Sequence, residues 1–149
     1  MLQVWSAEKF SNQQRWDSSR ACRDRVLEDR IGQLLDEPDR TLLRLDAHGI
    51  TRRALGSYFG KSAGSISRRV STLRRRIQTP LVRSLIDPRC PLSELDQRIA
   101  ARSLVSRTPI KRLAHQEQLS IWQLQQRLLH AQGALRALAA ARRSTRLAR

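Results

Sequence analysis

An all-α protein is expected from this chain: an N-terminal helical segment followed by two small helix-turn-helix units in tandem. Three observations carry the expectation. No run alternates apolar and polar residues through Val, Ile or Thr, and no Asn-Gly or Asp-Gly pair offers a hairpin turn, so strands have little to form from. Apolar residues instead recur at spacings of three and four, the period of a helix with one buried face. Ser, Thr, Pro and Gly stand at the ends of those stripes, where helices start and stop. With 149 residues, 40% hydrophobic and 28% charged, the chain suffices for one ordinary core or two very small ones, which excludes a large multi-domain enzyme.

Residues 1–34 form the N-terminal segment. Trp5, Phe10 and Trp16 are expected on a helix packed against the first unit, and Ser18 or Ser19 is placed to cap a stripe of Cys22, Val26, Leu27, Ile31, Leu34 and Leu35. Residues 35–87 form the first unit. Asp36-Glu37-Pro38 starts a helix carrying Leu42, Leu43 and Leu45, and Ala47-His48-Gly49 ends it, since Pro suits a first turn and Gly the residue past the last. Ile50 is placed to pack the next short segment, Thr51 to Phe59, onto the preceding helix. After a turn at Gly60, Ser62 caps a long helix held by Ile66, Val70, Leu73 and Ile77; Pro80 closes it and restarts a short helix. Asp87-Pro88-Arg89-Cys90-Pro91 reads as a linker. The second unit, residues 92–141, repeats the order: Ser93 caps a helix with Leu95 and Ile99, Thr108-Pro109 starts a short one with Leu113, and Ser120 starts a long one with Leu124, Leu128 and Leu135. The basic tail, residues 142–149, has no acid to offset its charge and is expected to fray.

Charge narrows the function classes. Lys and Arg number 29 against 13 Asp and Glu, a net charge of +16, and 26 of the basic residues are Arg, whose forked donors meet phosphate oxygens bidentately. The excess is local: residues 1–49 carry a net −1, residues 50–89 a net +9, residues 90–97 a net −2 and residues 98–149 a net +10. Two basic blocks flanking a short acidic hinge fit two nucleic-acid-binding surfaces on one chain. No apolar run approaches 18 residues and Met1-Leu2-Gln3-Val4-Trp5 lacks the charged and apolar regions of a signal peptide, so a cytoplasmic, nucleoid-associated protein is expected, without a membrane partner. Cys22 and Cys90 are too few for a disulfide scaffold or zinc site; both are expected reduced, with at least one in the core, and His48, His115 and His130 are expected on the surface. No P-loop, GxSxG, HExxH or zinc-ligand cluster occurs, so neither an enzyme nor a cofactor is expected, and a small-molecule ligand is disfavoured.

The candidate site lies around Gly60. Leu55, Phe59, Gly60, Ser62, Ile66 and Val70 fit a short helix, a tight turn, an N-cap and a second helix held by residues four apart. With Ile66, Val70 and Leu73 inward, the opposite face presents Ala63, Gly64, Ser65, Ser67, Arg68 and Thr72. Small residues at its start let the backbone approach a major-groove floor, and Arg68 reaches a base edge or phosphate. Lys61 and the free amides behind Ser62 suit phosphate, the triple Arg74-Arg75-Arg76 at the helix end is placed to clamp phosphates or to be a solvated helix end, and Arg69 is counted among the DNA-binding residues. An αα-hairpin core explains the apolar spacing equally well; the charge is what favours DNA.

Leu55-Gly-Ser-Tyr-Phe59-Gly60-Lys61-Ser62-Ala-Gly64-Ser65-Ile66-Ser67-Arg68-Arg69-Val70 resembles the helix-turn-helix of region 4 of bacterial sigma-70 family factors, I-A-x-x-L-G-x-S-x-x-T-V-x-x-R-L. The matches are Leu55, Phe59, Gly60, Ser62, Ser65, Ile66, Arg69 and Val70, while Gly56 replaces the usual Ala; the resemblance covers about residues 35–78. It implies a module that reads promoter −35 DNA in the major groove and docks on the RNA polymerase β-subunit flap. A complete sigma factor is not implied, because the chain has no room for the aromatic-rich domain that melts the −10 element, and aromatics are only 4%.

The second unit lays over the first with Leu113 on Leu55, Ser120 on Ser62, Leu124 on Ile66, Arg127 on Arg69 and Leu128 on Val70. It reads as a degraded copy, in which Glu117 and Gln118 replace Phe59 and Gly60 and weaken packing and turn. Its outer face carries Trp122, Gln123, Gln125, Gln126 and His130; Gln pairs with adenine edges, yet a Gln-rich helix is more often solvated and Trp122 more often packed. The expectation is a transcription regulator that binds double-stranded DNA. The alternatives are an RNA polymerase-associated adaptor acting through protein contacts and an RNA-binding protein.

Overall fold

The computed structural model describes residues 4–148, with the side chains of residues 18–148. It is 79% helical, with eight helices and no strand among the described residues. Helix α1 spans Val4–Gly32 without a break, so Ser18 and Ser19 lie inside a helix rather than capping one. No Pro or Gly precedes Gly32 in that stretch to interrupt it. Cys22 and Val26 are exposed, and the inward stripe among the described side chains is Leu27 and Ile31, continued past the helix by Leu35. The expected packing of Trp5, Phe10 and Trp16 lies outside the described side chains. Of the two cysteines, Cys90 alone packs against the core, half-buried.

Helix α2 (Glu37–Ala47) begins with Pro38 in its first turn and stops at Gly49, whose φ of 83° suits a residue without Cβ. Asp36 has the extended backbone of an N-cap but gives its side chain no cap bond, because Thr108 Oγ1 donates to its Oδ2 and Arg102 pairs with its Oδ1. Helix α3 (Arg52–Phe59) is capped by Thr51, whose Oγ accepts from the Ala54 amide. Ile50, expected to pack it, is exposed instead. Helix α4 (Ala63–Ile77) buries Ile66, Val70, Leu73 and Ile77, the four predicted positions. Helix α5 (Pro80–Arg83) runs into a 3-10 turn, Ser84–Ile86.

Helix α6 (Glu94–Ala101), capped by Ser93, continues as a π-helical segment, Arg102–Ser106, that ends on Arg107 at φ 57°. Helix α7 (Ile110–Gln116) and helix α8 (Ile121–Leu147) complete the chain. Of the tail expected to fray, residues 142–147 form the end of α8. Ala137 and Ala139 to Ala141 favour continued helix, and Arg142 is held by Asp87.

The same order of caps and turns occurs twice. Gly49 and Arg107 end one helix each in the left-handed region, and Gly60 (φ 65°) and Gln118 (φ 54°) turn the chain in the same region between a short helix and a serine-capped long one. The spacing from cap Asp36 to cap Ser93 is one residue shorter than that from Ser62 to Ser120. The π-helical segment between α6 and α7 accommodates that extra residue, since a π turn is a one-residue expansion of α-helix.

The linker does not divide the core. One cluster joins Leu27, Leu55, Val70 and Leu85 to Leu92, Val105 and Leu135, while Ile99, Leu113, Ala114, Leu124 and Leu128 form a satellite inside the second half. Within the linker Asp87 is buried: the Arg89 amide donates to its Oδ1 at 2.8 Å, and Arg142 of α8 pairs with its Oδ2 at 2.5 Å. The Arg89 guanidinium and amide together pull the Asp87 carboxyl down to about 2, helped by the charge of Arg142 and opposed by burial.

Candidate nucleic-acid interface

The hairpin of α3 and α4 is positioned from below by Leu55, Ile66, Val70 and Leu73, all buried. Its turn is tight: the Lys61 amide donates to the Gly56 carbonyl at 2.8 Å, and a Cβ at Gly56 would lie 2.5 Å from the Lys61 carbonyl oxygen. Ser62 Oγ accepts from the Ser65 amide at 3.1 Å and so fixes the first turn of α4.

The cations of α4 divide by direction. Arg69 donates to both carboxylate oxygens of Asp39, at 3.0 and 2.6 Å, and to the Ser106 carbonyl. Arg74 pairs with Glu28 and Asp46, and Arg76 donates to the Val105 carbonyl at 2.8 Å. Burial lowers the pKa of Arg76, as do the neighbouring charges of Arg107, Arg69 and Arg75. Of the expected contact residues, Arg69, Arg74 and Arg76 are therefore engaged within the protein, because α1, α2 and the π-helical segment present acceptors to that side of the helix. Lys61, Ser62, Ala63, Gly64, Arg68 and Arg75 are exposed, and Ser65, Ser67 and Thr72 are half-buried. Lys61, Gly64, Arg68, Thr72 and Arg75 follow one another at three, four, four and three residues, a single stripe on the face opposite the core. Lys61, Arg68 and Arg75 have no carboxylate partner among the described residues, whereas Glu28, Asp36, Asp39, Asp46, Asp87, Asp96 and Glu117 each hold an arginine.

Sequence reasoning missed Tyr58, which is 70% exposed at the end of α3 and meets Phe59 edge to face with ring centroids 4.9 Å apart. An aromatic beside a turn glycine was the available signal, and it does not distinguish a packed ring from a free one.

The second hairpin, α7 and α8, presents a different surface. Trp122 is 68% exposed and Leu129 65%, joined by Ile121, so the tryptophan expected to be packed is not. Gln125, Gln126 and His130 are exposed. Gln123 completes a capping box, its Oε1 accepting from the Ser120 amide at 3.0 Å, and so serves the helix start. Arg127 pairs with Asp96 at 2.8 Å, the counterpart of Arg69 with Asp39. The replacement of Phe59 by Glu117 does not weaken the packing by leaving a hole: Glu117 accepts from Arg98 at 2.9 Å and Arg102 at 2.6 Å. Nor does Gln118 change the turn, which keeps the same backbone hydrogen bond, Leu119 amide to Ala114 carbonyl, at 2.9 Å.

A cleft of about 510 Å³ between α1 and α2 is lined by both signs of charge, and its Glu28, Asp46 and Arg74 already satisfy one another. Among the described residues, no metal-holding group of His, Cys, Asp or Glu occurs and no helix is long and apolar enough to cross a membrane. Comparison with family models, with curated proteins and with solved structures finds no match.

Proposed function

We propose that this protein is a transcription regulator that binds duplex DNA by laying the outward stripe of α4 in a major groove. The observation that carries this reading is the division of α4 itself. Three of its arginines tie the helix to the body of the protein, and the remaining cations, Arg68 and Arg75 with Lys61 before the cap, stand free on one face. Ala63 and Gly64 keep the start of that face low, so the backbone approaches base edges, Arg68 reads them and Arg75 meets phosphate. The repeated caps and left-handed turns support a tandem helix-turn-helix, and the resemblance of residues 35–78 to sigma region 4 makes a promoter −35-like site the natural target.

Selection of bound fragments from random duplex DNA at two salt concentrations tests the reading. A preferred site bound roughly 10³-fold or more above random duplex, whose rank survives added salt, is the expected result. Equal binding of all duplexes, or a preference for folded RNA, contradicts it. The exposed Trp122, Ile121 and Leu129 favour a second reading for the other half of the molecule, a protein contact such as RNA polymerase. Co-purification with polymerase in the absence of any duplex preference would make that reading the primary one.

A further inference from the structure

Where α5 meets the last turns of α8, the protein forms a cleft of about 540 Å³. Five arginines line it, Arg83, Arg89, Arg142, Arg143 and Arg146, with Thr145 beside them and no acidic side chain among the lining residues. Buried Asp87 takes two of the five: Arg89 donates to both of its oxygens at 3.3 Å, and Arg142 pairs with it at 2.5 Å. This carboxylate thus fixes two guanidiniums in place and has no charge left for the others. Arg83, Arg143 and Arg146 are exposed and have no ion pair among the described residues.

Several guanidiniums converging on one concavity repel one another until an anion with several oxygens enters between them. Their planar forks match phosphate bidentately, and a cleft of this size encloses a small polyanion. We infer that the cleft is a binding site for adjacent phosphate groups, supplied either by a free polyphosphate or by the backbone of a bound nucleic acid. It is independent of the base-reading stripe, since none of the five arginines lies on α4. It also bridges the two halves of the chain, Arg83 coming from α5 and Arg143 and Arg146 from α8, so an occupant would fasten them together.

Calorimetric titration of the full chain with inorganic pyrophosphate tests the site, using the wild type, Arg68→Ala, and the triple variant Arg83→Ser, Arg143→Ser, Arg146→Ser. One pyrophosphate per chain is expected for the wild type and for Arg68→Ala, with the triple variant weaker by about tenfold or more. Arg146→Ser alone, on the last turn of α8, repeats the test if the triple variant fails to fold, with a smaller loss expected. Duplex binding as a function of salt separates the sources. If the backbone of bound DNA is the ligand, the triple variant also lowers the salt slope by roughly 3. If a free polyphosphate is the ligand, that slope is unchanged while pyrophosphate binding is lost. Equal pyrophosphate binding by the wild type and both cleft variants, or no binding by the wild type with an unchanged slope, overturns the site. Failure of the α4 reading appears elsewhere, as absence of base preference in the wild type.

Discussion

Arg68 and Arg69 are chain neighbours with opposite surroundings. Arg68 is exposed on the outward stripe, whereas Arg69 turns under the helix to Asp39 and the Ser106 carbonyl. The apolar stripe of Ile66, Val70 and Leu73 made the inward sector of α4 legible from sequence, and with it the outward Lys61, Gly64 and Arg68. Residues at the border of that sector were not legible, because their direction depends on what a distant element offers, here Asp39 on α2. Gly56 is a second case. The resemblance noted it as a departure from Ala without a reason, and the reason is spatial: an added methyl would meet the Lys61 carbonyl oxygen at 2.5 Å. Ala114 stands at the corresponding place in α7, next to a turn closed by a 2.9 Å bond where that of α3 is closed at 2.8 Å. Gly56→Ala should therefore destabilise the protein by about 1–3 kcal/mol, even though Ala is the better helix former. Urea unfolding checks this; an unchanged or raised midpoint would mean that the turn yields freely.

At the scale of elements, capping residues and apolar spacing were enough to find α2 through α8. What they did not reveal are features set by context. A left-handed Gln118 has no composition signal, since Gln enters that region only when its neighbours hold it there, as the Ser120 capping box and the Leu119 amide do. The π-helical segment is likewise invisible in residue type and shows only as the one-residue difference between the spacings of equivalent caps. The two prolines after Asp87 mark a linker, and the chain there does leave helix, but the aspartate is a buried clasp between the linker and α8. Its carboxyl titrates at about 2, below the ordinary 3.8. A depressed pKa contributes stability that is complete above 3.8 and is lost as pH falls toward 2. Unfolding measured from about pH 5 downward should show this loss in the wild type, and Asp87→Asn should be less stable at the upper end and decline less across the window. Parallel curves for the two proteins would show that the clasp is not formed.

Over the whole molecule, most acids among the described residues are drawn inward as partners for structural arginines, and the surplus of described cations is left outside. A net charge of +16 therefore acts as an external field that attracts polyanions at long range, and contact geometry must supply any selectivity. The halves are held as one body through the shared core, the Asp36 contacts to Arg102 and Thr108, and the Asp87 clasp. Sequence periodicity predicted the all-helical fold but left open whether there is one core or two, because long-range pairs such as Asp36 with Thr108 leave no trace in local spacing. Competition binding with duplexes that differ at single base pairs tests most directly the proposal that α4 reads bases with Arg68 and grips backbone with Arg75. Arg68→Ala should relax preference at one position, at a cost of about 1–3 kcal/mol, while Arg75→Ala should weaken all duplexes alike and reduce the salt slope by about 1. Loss that is equal across all sequences for both variants would contradict it.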